Sequence, residues 1–222
     1  MREIVLDTET TGLDPGNGDR VVEIGCVELL NHVATGKIYH QYINPDRPMP
    51  EEAFRIHGLS DEFLSGHPCM SEVMDEFLAF ISDAPLVIHN AEFDMRFLNA
   101  ELIILGKPAL NINRALDTVR LAREKYPGAP ASLDALCKRF NIDSTSRVFH
   151  GALLDAQLLA EVYLGLVGGT QPALELLSKG KVNEGKPREG VYHEPRSFPV
   201  TEEELISHKR FLEKIKEPIW RR

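Results

Sequence analysis

The chain has 222 residues, 43% hydrophobic and 27% charged, enough for one well-buried core and an appendage, and no apolar run reaches the roughly 18 residues of a membrane span. Lys and Arg number 25 against 34 Asp and Glu, a net charge of −9, which excludes a free-standing protein that grips duplex nucleic acid by neutralising many phosphates. The three cysteines, Cys26, Cys69 and Cys137, are widely spaced with no C-x-x-C pair, which speaks against a disulfide framework or a zinc site and for a reduced, cytoplasmic setting; Asp7 also interrupts the first apolar run too early for a secretory leader.

In chain order, Ile4-Val5-Leu6 is a short continuous apolar run, the pattern of a buried strand. A Gly- and Asp-rich turn from Gly12 to Asp19 follows. Residues 20–30 and 37–43 read as two antiparallel strands joined near Asn31 to Gly36. Pro45 to Pro50 is loop. Val73, Met74, Phe77, Leu78 and Ile81 repeat at helical spacing over 71–81, residues 85–88 form another buried strand, and 93–105 is helical again. A short run ending near Leu116 precedes a helix over 118–125, with Asp117 as its cap. Ser132 caps a helix carrying Leu133, Leu136 and Phe140. Residues 151–167 give the most regular helix, with Leu154, Leu158, Leu159, Val162, Tyr163 and Leu166 on its apolar stripe, closed by Gly168-Gly169. The order of three strands followed by alternating helices and strands predicts an α/β unit over residues 1–169, a mixed sheet with helices on its faces.

Acidic residues stand out against this pattern. Asp7 and Glu9 lie two apart at the end of the first strand, so their side chains share a face while Thr8 points away. Two carboxylates side by side at a buried strand end repel unless a cation or protons compensate. A polar turn is the bland alternative. Asp94 opens the helix that follows His89-Asn90, where the helix dipole alone would accommodate an acid, and Phe93 and Phe97 read as core. Asp155 sits among Leu153, Leu154, Leu158 and Leu159 in a helix that should be largely buried. His150 and Asp155 could not share a helical face, since five residues separate their directions by roughly 140°; Gly151 places His150 on the loop ahead of that helix. His89 reads as a strand-end residue. Taken together, Asp7, Glu9, Asp94 and Asp155 are oxygen donors suited to hard cations such as Mg²⁺ or Mn²⁺. Two such ions about 4 Å apart form a clamp for in-line attack at phosphorus. An imidazole, with an ordinary pKa near 6.5, suits proton removal from the attacking water.

At this point the residues match a family. Asp7-Thr8-Glu9 within I-V-L-D-T-E-T-T-G-L, Asp94 within H-N-A-E-F-D, and His150 with Asp155 in H-G-A-L-L-D-A resemble the three motifs of the DEDDh 3′–5′ exonucleases. The likeness covers nearly the whole chain, including S-L-D-A-L-C at 132–137, and is strongest to the epsilon (proofreading) subunits of bacterial DNA polymerase III. The resemblance implies a ribonuclease-H-like, five-stranded mixed sheet flanked by helices, with a flexible C-terminal tail. It implies that Asp7, Glu9 and Asp155 ligate two divalent cations, that Asp94 contributes directly or through water, and that His150 is the general base. It also implies contacts from Asp7, Glu9 and Asp155, and from Glu52 and His57 in the segment E-A-F-R-I-H-G, to the terminal nucleotide. From residues alone that segment reads as loop and His57 as a surface histidine.

Beyond residue 169 the resemblance implies a clamp-binding peptide over 170–177, with Gln171, Leu174 and Leu176 as contacts. Glu175 stands where stronger clamp peptides carry a large apolar residue, so the sliding clamp would be held weakly. Residues 178–200, rich in Gly, Pro, Lys and Glu and without periodicity, read as a flexible linker. Residues 201–222 form an amphipathic segment with Leu205, Leu212 and Ile215 on one stripe and the sole tryptophan, Trp220, near its end. By resemblance it holds the polymerase (alpha) subunit; the sequence leaves open whether a small accessory core subunit is a further partner. Such a tether explains how an acidic exonuclease meets single-stranded or frayed 3′ DNA ends without a basic surface. Two rival readings are an exoribonuclease of the same superfamily, which contacts to the 2′-hydroxyl would distinguish, and a non-catalytic scaffold joining clamp and polymerase, against which the retained motif residues argue.

Overall fold

β1 (Arg2–Thr10), β2 (Val21–Leu30) and β3 (Val33–Tyr42) form an antiparallel meander, and β4 (Leu86–Ile88) and β5 (Ala115–Asp117) extend the sheet in parallel on the other side of β1. The strand order is β3-β2-β1-β4-β5. The structure is a computed structural model that describes residues 1–145, 149–168 and 199–215. The chain divides into two units, Met1–Leu174 and Glu175–Arg222.

Alternation along β1 sorts the core into two layers. Ile4 and Leu6, with Ile24, Cys26, Leu86 and Ile88, face α3 (Met70–Ile81) and α4 (Ala91–Ile104), where Met74, Phe77, Ile81, Phe97 and Leu98 are fully buried. Val5, Val27, Leu29 and Val87 face α5 (Thr118–Lys125), α6 (Leu133–Phe140) and α7 (Ala152–Val167), packing on Leu136, Leu158, Leu159 and Val162. This is the α/β, ribonuclease-H-like arrangement that the resemblance implies.

Capping follows the sequence. The Ser132 side chain accepts from the Ala135 amide, the Asp117 carboxylate accepts from the Val119 amide, and Gly168 closes α7 in the left-handed region at φ 82°. β1 carries the apolar run Ile4–Leu6 and, as expected, continues through Asp7 and Glu9, because β2 pairs with it from Arg2 to Thr10. Two expectations are corrected. The β2–β3 turn is Asn31-His32 alone, both at positive φ (52° and 68°), so β3 starts at Val33 rather than at 37. Positive φ at both turn residues matches the twist of a tight hairpin. The segment after Pro50 is not loop: it folds into α1 (Glu51–His57) and α2 (Asp61–Leu64).

In the second unit, α8 (Glu202–Glu213) is opened by a capping box between Thr201 and Glu204. Leu205 is exposed and Leu212 buried, and Ile215 follows the helix, half-buried. Gln171, Leu174, Leu176, Trp220 and linker residues 178–198 lie outside the described residues, as do residues 169–198 and 216–222 of the expected flexible tail. Among the described residues no helix is long and apolar enough to cross a membrane.

Candidate active site

The site forms where the two central strands end at different heights. β4 stops at Ile88, opposite Leu6, while β1 continues to Thr10. Past Leu6, β1 has no parallel neighbour, and its backbone must find other partners. The Thr8 amide donates to Asp94 Oδ1 at 3.0 Å, and the Thr8 hydroxyl donates to the same oxygen at 2.8 Å. Thr8 does point away from Asp7 and Glu9, and what it points at is the acid on α4.

Asn90, left-handed at φ 70°, turns the chain from β4 into α4 and brings Asp94, 3% exposed, into the first turn. Farther along the same helix, Glu101 receives two hydrogen bonds of 2.7 Å from the Arg20 guanidinium and one from the Val21 amide. That pair, with Glu101 buried and Arg20 half-buried, ties α4 to the start of β2, and the sequence pattern does not reveal it.

On the opposite face, Asp7 and Glu9 continue the Val5 side of β1 toward α7. Asp7 pairs with Gly25 of β2, and the start of α7 lies directly over that glycine; a Cβ there would meet the Ala152–Leu153 peptide at 2.3 Å. The missing side chain lets Asp155, on the first turn of α7, approach the end of β1. His150 precedes the Gly151 N-cap, on the loop as expected, with Nδ1 3.3 Å from Asp155 Oδ2.

The structure therefore gathers all five motif residues. Asp7, Glu9, Asp94, His150 and Asp155 line one cavity of about 310 Å³. Ligating atoms of Glu9, His150 and Asp155 lie within 4.8 Å of one another. Burial pushes the Asp94 carboxyl up, to about 7, against the Thr8 hydrogen bonds that hold it down. An acid that resists ionisation in a cavity of further acids is a site waiting for positive charge, and a set of carboxylate oxygens fits a hard divalent cation.

His89, at the end of β4, lies against the Thr118 hydroxyl at 2.9 Å and lines the same cavity. Phe97 is core, but Phe93 is half-buried and lines this cavity and a second one beside it. The second cavity, about 550 Å³, shares Thr8 and Glu9 with the first and is walled by α1, from which Glu52 and His57 face it. His57 is not a surface residue: it is 5% exposed, its Nδ1 accepts from the Leu59 amide at 3.1 Å, and burial pushes its pKa down. Gly25 and Thr8 are the positioning residues that sequence reasoning missed; a glycine inside a strand that is otherwise buried is the one available signal.

Residues 4–163 match the family described as Exonuclease. Along the full chain, DNA polymerase III subunit epsilon of Rickettsia conorii is 49% identical, over 97% of this chain and 96% of that protein. The chain belongs to the epsilon family of exonucleases. The Escherichia coli K12 epsilon subunit is 40% identical, over 99% of this chain and 97% of its own. Among solved structures, that of Exonuclease X in complex with 5′ overhanging duplex DNA superposes with a TM-score of 0.60 at 26% identity, over 75% of this chain and 92% of that one. As an epsilon-family member, the chain is a divalent-metal-dependent exonuclease, and the acids at the end of β1 are a donor set of the right kind.

Proposed function

We propose that this chain removes nucleotides one at a time from the 3′ end of DNA, as the proofreading exonuclease of a replicative polymerase, and that Asp7, Glu9, Asp94, Asp155 and His150 carry the chemistry. The observation that carries this reading is the meeting of those five residues, drawn from three distant segments, around one cavity. Asp7, Glu9 and Asp155 would hold two divalent cations, Mg²⁺ or Mn²⁺, with Asp94 completing the set directly or through water. When bound, such ions lower the pKa of the attacking water and neutralise charge on the leaving 3′ oxygen.

The residues divide the remaining work. His150, half exposed at the mouth of the cavity, takes the proton from the attacking water. Glu52 and His57, facing the adjoining cavity across Glu9, receive the terminal nucleotide. Burial pushes the His57 pKa down, and because Nδ1 already accepts from the Leu59 amide, the neutral ring carries its proton on Nε2, which can only donate. Preference for a mismatched end follows from the lower cost of unpairing it.

The same reading assigns residues 1–169 to catalysis, 170–177 (through Gln171, Leu174 and Leu176) to weak binding of the sliding clamp, 178–200 to a linker, and 201–222 (through Leu205, Leu212, Ile215 and Trp220) to the polymerase alpha subunit. A small accessory subunit and a cytoplasmic location belong to the same picture. Support comes from the amphipathic pattern of the tail and from relatives that bear a polymerase subunit's name over their whole length.

The test is release of labelled mononucleotide from a 3′-labelled single strand. EDTA should abolish it, and His150→Ala should lower the rate by about 10²–10⁴-fold while Mn²⁺ still binds. An equal rate on matched RNA would move the reading to an exoribonuclease, and release only from 5′ ends would end it. Co-purification with the alpha subunit should be lost on deletion of 201–222.

A further inference from the structure

Helix α1 touches the catalytic loop as well as the nucleotide cavity. The His150 amide donates to the Ile56 carbonyl at 3.1 Å, so the backbone of the proposed general base is fastened to the last turn of α1. One residue earlier, Phe149 lies over Gly58, the residue that ends α1. The ring is 3.4–3.5 Å from the point where a Cβ on Gly58 would stand, so it faces that side of the glycine. Gly58 is left-handed at φ 72°, a conformation that closes α1 and presents a bare backbone to the ring. Phe149 is 55% exposed, so its place over Gly58 is not dictated by burial in the core. His57, between Ile56 and Gly58, is buried and faces the cavity that adjoins Glu9. Consecutive residues of one helix end thus read the nucleotide cavity and hold the histidine loop.

We propose that α1 is a substrate-sensing arm: a nucleotide seated against Glu52 and His57 fixes the end of α1, and the Ile56–His150 hydrogen bond with the Gly58–Phe149 contact transmits that order to His150. Phe149 is then a positioning residue, acting through His150. The consequence is commitment: the general base is aligned when a terminal nucleotide occupies the cavity and is loosely held when none does, which limits proton transfer to a loaded site. The inference rests on the assignment of His150 as general base and of the α1 cavity as the nucleotide site.

The experiment is hydrogen–deuterium exchange on the full chain with Mn²⁺, with and without thymidine 5′-monophosphate, alongside steady-state kinetics. In the parent protein the nucleotide should slow exchange in both 51–57 and 149–152. In Phe149→Ala it should still slow exchange in 51–57 but no longer in 149–152. That variant should lose about tenfold or more in kcat with KM and Mn²⁺ affinity within about twofold, and Phe149→Leu should recover most of the loss. Protection of 149–152 in Phe149→Ala equal to the parent's would overturn the coupling, as would an unchanged kcat beside a His150→Ala enzyme that has lost its rate. A His150→Ala enzyme that keeps its rate would refute the general-base assignment instead, and the exchange result would still decide the coupling.

Discussion

Gly25 stands directly opposite Asp7 in the β1–β2 ladder, and the opening peptide of α7 occupies the space its side chain would need. The pairing joins the first and the last acid of the site: β1 supplies Asp7 and Glu9, α7 supplies Asp155, and the glycine between them sets the distance. A methyl group at position 25 would sit 2.3 Å from the backbone of Ala152 and Leu153, which no side-chain adjustment relieves.

Gly25→Ala should therefore push the start of α7 off the sheet. The expected result is a loss of about 1–3 kcal/mol in stability, the usual cost of overpacking. Exonuclease rate should fall by about 100-fold, since displacement of a catalytic group by about 1 Å costs that much. Chemical denaturation and a mononucleotide-release assay check both; a stable, fully active variant would show that α7 is not held at this distance.

Thr8 donates twice to Asp94 Oδ1, through its amide and its hydroxyl. Thr8→Val keeps the shape and the amide bond but removes the hydroxyl. Loss of such a supporting hydrogen bond should weaken Mn²⁺ binding by about 10–100-fold, and Thr8→Ser should restore most of it. Titration calorimetry with Mn²⁺ distinguishes this from a general loss of folding.

Asp94 carries a cost in the metal-free protein. Its folded pKa lies near 7, above the ordinary 3.8, because burial disfavours the charge. The folded state thus binds more protons than the unfolded one between those values, and metal-free stability should fall as pH rises from about 4 to about 7. Asp94→Asn, which can still accept from Thr8, should remove that slope, raise the metal-free melting temperature at pH 8 and weaken metal binding. Thermal scans across pH with EDTA present measure it; an unchanged slope would mean that Asp94 is not the titrating group.

Glu28 works in the opposite sense. Hydrogen bonds from the Arg2 guanidinium at 2.6 Å and the Thr35 hydroxyl at 2.8 Å hold its carboxyl down to about 2, from an ordinary 4.5. Its contribution to stability is fully present above pH 4.5 and is lost as pH falls toward 2. Glu28→Gln should flatten the acid limb of the stability profile within that window while leaving exonuclease rate at pH 8 within about twofold, since Glu28 lines neither cavity of the site.

The acids were legible because charge inside apolar runs has few explanations: Asp155 among leucines and Asp7 at the end of a buried strand demand compensation wherever the chain goes. The strands and the long helices were legible through their apolar periodicity, as over Met70–Ile81. α1 was not. It has seven residues, Pro50 gives it no side-chain cap, and it buries only Ala53 and His57, so its stripe is too short and too polar to read. The two-residue β2–β3 turn was hidden because Asn31 and His32 both adopt the left-handed conformation, and His32 is an unusual choice there. Gly25 and Thr8 act through contacts between segments far apart in the chain, which periodicity within one segment does not carry.

The central claim is that Asp7, Glu9, Asp94 and Asp155 together hold the divalent ions that catalyse removal of the 3′-terminal nucleotide. Anomalous scattering from crystals grown with Mn²⁺ and thymidine 5′-monophosphate tests it most directly. The account predicts two Mn²⁺ peaks inside the cavity bounded by those four acids, with the nucleotide against Glu52 and His57. A preparation that hydrolyses 3′ ends yet shows no Mn²⁺ in that cavity at saturating concentration would contradict it.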